Sequence, residues 1–136
     1  MRATAIPVSE PQPHDLGAAS MMAHQQLSYI LHRLMHRDTP TAEKANLYGR
    51  RETLEHALEW FDGVLAMELA DWERVIHLRT LLTFLLAYRD AAHKHAKEEE
   101  KRNVFSLEWR NLTTGRLQGY DYCINLLTAL GVKPIR

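Results

Sequence analysis

A chain of 136 residues, 46% hydrophobic and 25% charged, is long enough for one domain with its own core. Seventeen basic and seventeen acidic side chains leave a formal net charge of zero. That excludes a general nucleic-acid or anionic-membrane binder, whose affinity depends on an excess of Lys and Arg. A single cysteine, Cys123, excludes an intrachain disulfide and a zinc site built on cysteines.

The charges are unevenly spread. Residues 1–51 carry six basic and four acidic groups, residues 52–100 five and eleven, and residues 101–136 six and two. An acidic middle beside a basic end predicts pairing between helices of this chain, or with a partner of the same kind. The basic C-terminal segment leaves nucleic acid as a lesser alternative.

Residues 1–17 hold three of the five prolines and little apolar mass, and are expected to form a disordered arm ahead of a helical domain over 18–136. Pro7, Pro11 and Pro13 also stand where a signal peptide needs an apolar core. Leu81 to Tyr88, the longest apolar-rich stretch, is too short to span a bilayer. A cytoplasmic protein without membrane contact is expected.

The first helix is predicted from about Ala18 to Arg37, with Ala23, Leu27, Ile30 and Leu34 on one face. Asp38-Thr39-Pro40 stops it, and Thr39 with Pro40 behind it reads as the cap of the next helix. That second helix should run to about Leu69 on a stripe of Leu47, Leu54, Leu58, Phe61 and Leu65, weakened locally by Gly63. A break near Ala70 and a cap at Asp71 open a third helix, Trp72 to about Arg102. Its first half is apolar nearly all round, which predicts a central helix or an oligomer core. Its second half is charged and should project into solvent. Asn103 or Ser106 would cap the fourth helix, whose stripe is Phe105, Trp109, Leu112, Tyr120, Cys123, Leu127 and Leu130. Gly131 and Pro134 end it. The result is an all-α antiparallel bundle of about four helices joined by short loops.

Three constellations bear on function. The first is apolar. Trp60, Val64 and Met67 form a second strip on the second helix, so that helix should be sandwiched, and a partner or a second copy would supply the missing cover. Trp72 and Trp109 are expected in the core, while Tyr122 is a further aromatic anchor. Gly115 and Gly119 cost helix stability unless another helix crosses closely there, from this chain or a second subunit.

The second constellation is metal-like: Glu52 with His56, and Glu73 with His77, each four apart on a helix face. It lacks the Glu-x-x-His of di-iron bundles, and surface pairing is the plainer account. The third is Arg89 with His95, spaced as in the helical ribonucleases of the HEPN type, where a cation holds a phosphate while an imidazole moves a proton. With 12 Arg and 8 His such spacings arise by chance. No Gly-x-Ser-x-Gly and no phosphate loop occurs.

From Gly115, the run Gly-Arg-Leu-Gln-Gly-Tyr-Asp-Tyr-Cys-Ile-Asn-Leu-Leu-Thr-Ala-Leu resembles the closing helix of some small phage-encoded helical proteins. The resemblance implies a phage or mobile-element origin and carries no functional residue. The expectation is a non-enzymatic helical interaction or assembly protein, binding itself or a host protein through helix faces and needing no cofactor. The alternative is a small enzyme using Arg89 and His95, or a metal bundle using Glu52, His56, Glu73 and His77.

Overall fold

A computed structural model of the chain describes residues 13–102 and 106–135, with residues 13–15 and 102 described by their backbone alone. These residues form four helices: α1 (Pro13–Met35), α2 (Thr41–Ala66), α3 (Asp71–Arg102) and α4 (Leu107–Ala129). Among the described residues there is no strand, and no helix is long and apolar enough to cross a membrane.

The helix ends follow local chemistry. Helix α1 is described from Pro13, so residues 13–17, expected in the arm, are helical, since Pro13 is tolerated in a first turn and Leu16, Ala19 and Ala23 bury one face, while the arm's residues 1–12 lie outside the described residues. At its other end the Thr39 hydroxyl donates to the Arg33 carbonyl oxygen at 2.6 Å. Thr39 therefore closes α1 rather than capping α2, which starts after Pro40 with no side-chain cap. Helix α2 stops at Ala66, three residues short of Leu69. Helix α3 opens on half a capping box: Glu73 accepts from the Ala70 backbone N–H at 3.0 Å, while Ala70 rather than Asp71 holds the cap position. Ser106 caps α4 by accepting from the Trp109 N–H at 3.2 Å. Asn103 and Phe105 lie outside the described residues. Gly131, at φ 87°, lets Val132 N–H reach the Leu127 oxygen and Gly131 N–H reach the Thr128 oxygen, a Schellman ending.

Helices α2 and α4 run parallel and lie backbone to backbone. A Cβ on Gly115 would collide with the Asn46 carbonyl, one on Gly49 with the Leu112 carbonyl and Arg116 N, and one on Gly119 with the Thr53 side chain. Asn46 Nδ2 also donates to Gln118 Oε1 at 2.9 Å along this seam. The close crossing expected at Gly115 and Gly119 thus falls within the chain. The two helices become the short diagonal of the bundle, and they hold α1 and α3 apart on opposite flanks, where these barely meet.

The core fills the spaces beside that diagonal. Leu16 and Ile30 of α1, Leu54 and Phe61 of α2, Leu81 and Leu82 of α3, and Cys123 and Leu127 of α4 are all fully buried. Burial pushes the Cys123 thiol up to about 12. The third helix is a flank, not the centre that its composition predicted. It leans mainly on α4 and little on α2, so part of its apolar surface stays open.

Candidate functional site

Two features of α3 remain after the core is accounted for: its outer face, and a cleft where it leaves α2 and α4. On the inner face, Leu78, Leu81, Leu82 and Leu85 are buried. The opposite face, one helical half-turn away, carries Ile76, Thr80, Thr83, Phe84, Ala87, Tyr88 and Ala91. No Lys, Arg, Asp or Glu interrupts that set over four turns. Ile76 is 48% exposed, Phe84 41% and Tyr88 41%, and Trp72 at the head of the helix is 66% exposed. Trp72, expected in the core, is on the surface because α3 has no helix beyond it.

The inner edge of this face continues as a chain of rings. Trp60 of α2 meets Phe84 with centroids 5.5 Å apart, Phe84 meets Tyr88 at 6.2 Å, and Tyr88 meets both His56 at 6.0 Å and Tyr120 at 6.3 Å. These separations lie in the range of favourable aromatic pairing.

The strip of Trp60, Val64 and Met67 is therefore divided. Val64 is buried in the chain's own core, Trp60 is half-buried against α3, and only Met67, at the end of α2, stands exposed. Helix α3 supplies the cover that the sequence assigned to a partner. Gly115 and Gly119 are likewise enclosed against α2. Tyr122 is half-buried and donates to the Met22 carbonyl oxygen of α1 at 3.3 Å, tying α4 to the other flank. Burial raises its phenol above the ordinary value. The open apolar surface belongs to α3, not to the second strip of α2.

The cleft lies between α2, the second half of α3, and α4. It encloses about 450 Å³ and is lined by Glu52, Thr53, His56, Tyr88, Ala91, Ala92, His95, Arg116 and Tyr120. Arg116 donates from Nε to Glu52 Oε2 at 2.6 Å. Burial, then the Glu52 charge, pushes the Tyr120 phenol above its ordinary value, and Arg116 works against both. His95 sits with its ring 6.3 Å from that of Trp109, which is half-buried rather than in the core.

The two metal-like pairs do not converge. His56 lies level with Tyr88, eleven residues along α3 from His77, or about 16 Å of helix. Glu73 is engaged at the Ala70 cap and Glu52 by Arg116. Among the described residues no group of three or more His, Cys, Asp and Glu side chains could hold an ion. Arg89 and His95 diverge too. Arg89 pairs with Asp121 at 3.3 Å, while His95 turns into the cleft. The cation that reaches the cleft is Arg116 of α4, which no local spacing in the sequence connects with His56 or His95.

No family model, curated protein or solved structure matches this chain.

Proposed function

We propose that the chain is a non-enzymatic assembly protein that pairs with a second copy of itself through the outer face of α3. The observation that carries this is the four-turn face from Ile76 to Ala91, which has no ionised group and whose large apolar side chains are open to water. Interface centres are depleted of charge in this way, and isolated exposed residues would not form a continuous face. Thr80 and Ala87 are small, so another helix can approach closely between the flanking Ile76, Phe84 and Tyr88, while Thr83, whose hydroxyl accepts from the Ile135 N–H at 2.8 Å, marks the edge that the chain's own C-terminal segment covers.

The ends of the face favour a sister chain. Asp71 and Glu73 open α3 just after Glu68, with Arg74 the one cation of that first turn, and Lys94 and Lys97 lie beyond Asp90 and Ala91. An antiparallel pair with its twofold axis near Leu82 sets the acidic turn of each copy against the basic turn of the other. A twofold interface makes this match twice from one patch, as self-complementary surfaces require.

The test is the mass in solution at micromolar concentrations, by sedimentation or light scattering. The expected result is twice the 15.8 kDa of the chain, falling to the monomer in Ile76→Glu and Phe84→Glu. A native protein that is monomeric at 100-fold above ordinary assay concentration overturns the reading. So does a dimer that both variants leave intact.

A further inference from the structure

The cleft between α2, α3 and α4 shares Tyr88 and Ala91 with that face at its rim, and its chemistry is different. Three kinds of group converge on its 450 Å³. Tyr88 and Tyr120, with centroids 6.3 Å apart and planes inclined at 37°, give an angled aromatic wall, and Ala91 and Ala92 leave open space in front of it. Arg116 is held through Nε by Glu52, while the terminal nitrogens of its guanidinium make no bond to the described residues. Those nitrogens form a fork suited to two oxygens of one anion. His56 and His95 add imidazole nitrogens that make no hydrogen bond to the described residues, from α2 and α3 respectively. Glu52 accepts Arg116 at Oε2, which leaves Oε1 as an acceptor for a hydroxyl or amino group.

An anion fork, two imidazoles, one carboxylate acceptor and an aromatic wall call for a ligand with a phosphate, a hydroxyl-bearing sugar and a flat ring. We infer that the cleft binds a nucleoside monophosphate. Its phosphate sits at Arg116 between His56 and His95, its ribose hydroxyls face Glu52, and its base stacks on Tyr88 with Tyr120 against its edge. The volume is within the range of clefts that hold ligands of this size. A free phosphate would use only the fork and the imidazoles. A nucleoside would use only the wall and Glu52. The two halves together distinguish the nucleotide from either part.

Titration calorimetry of the full chain with AMP, adenosine and inorganic phosphate tests this. AMP is expected to bind saturably, with adenosine and phosphate each weaker by about tenfold or more. Arg116→Gln and His56→Ala should each weaken AMP by about tenfold. Both positions lie off the outer face of α3, so neither variant should alter the mass of the assembly, and a dimer that fails to form leaves this result intact. Far-UV circular dichroism and the melting temperature confirm that each variant is folded. Should one of them unfold, Tyr120→Ala, also off that face, takes its place, with loss of the difference between AMP and phosphate as the expected result. The proposal is overturned by AMP that fails to saturate at millimolar concentration, or by folded Arg116→Gln and His56→Ala proteins that bind AMP as the native chain does. Phosphate alone binding as tightly as AMP would remove the ring and the sugar from the site and overturn it as well.

Discussion

The seam between α2 and α4 and the outer face of α3 are both places where this chain meets a helix closely, one already occupied and one open. At the seam, Gly49, Gly115 and Gly119 remove every side chain that would hold the backbones apart, and Thr53 fills what remains. On α3 the small residues Thr80 and Ala87 thin the surface without emptying it, and Ile76, Phe84 and Tyr88 stand on either side. The difference explains why α3 lies on a flank although its first half is apolar nearly all round. The position nearest the bundle axis goes to the helices that can approach most closely. Hydrophobic content decides what is buried only after that geometry is set.

The seam should break first and hardest. Gly115→Val places a branched side chain against the Asn46 carbonyl, where neither backbone can move without separating the whole length of α2 and α4. The expected loss is about 4 kcal/mol or more, a large part of the total stability of a domain this size. A denaturant titration should show no folded baseline, or a midpoint near zero. A variant as stable as the native protein would mean that α2 and α4 do not lie backbone to backbone. On α3, by contrast, Ile76→Glu is a surface change and should keep the monomer's stability within about 0.5 kcal/mol, even as it abolishes pairing.

Much of this was readable from local patterns. Four helices, the apolar stripes, the Ser106 cap, the Gly131 ending and the burial of Cys123 all follow from residues within a few turns of one another. The Gly115–Gly119 pair announced a close crossing but not its partner. Gly49 and Thr53, the other half of the seam, lie more than sixty residues away, and a single Gly on a helix carries no spacing to notice. Val64 was misplaced for the same reason. Its strip needed cover, and which helix supplied it depended on how α3 was displaced by the seam. The candidate cleft was half legible: His56 and His95 stood out by type. Arg116 could be joined to them only once α2 and α4 were set side by side.

The closed side also makes a prediction about pH. The Cys123 thiol is pushed up to about 12 in the folded protein by burial beside the seam, from an ordinary value of 9.0. The unfolded chain therefore loses this proton first as pH rises. The contribution to stability is complete below about pH 9 and is lost progressively toward pH 12, at up to about 1.4 kcal/mol per pH unit. Tyr120 and Tyr122, also raised by burial, add to the decline in the same direction. Cys123→Ala should make the alkaline slope shallower, as read from denaturation midpoints between pH 8.5 and 10.5. An unchanged slope would place the thiol in contact with water. The native thiol should also resist a disulfide reagent at pH 8 and react once the protein is denatured.

The smallest effect isolates what glycine costs when no neighbour uses it. Gly63 lies in α2, as Gly49 does, about four turns further along and beyond the seam. A Cβ built there meets nothing within 4 Å. Its backbone is ordinary helix, with none of the positive φ that Gly131 adopts. Gly63→Ala removes freedom from the unfolded chain and adds no collision, so it should stabilise the protein by about 0.5–1 kcal/mol, or a few degrees in melting temperature. The same substitution at Gly115 should do the reverse and by several times as much, because there the missing Cβ is what lets two helices touch. Two alanine variants that shift the melting temperature in the same direction would show that the glycines of this chain differ less than the seam requires.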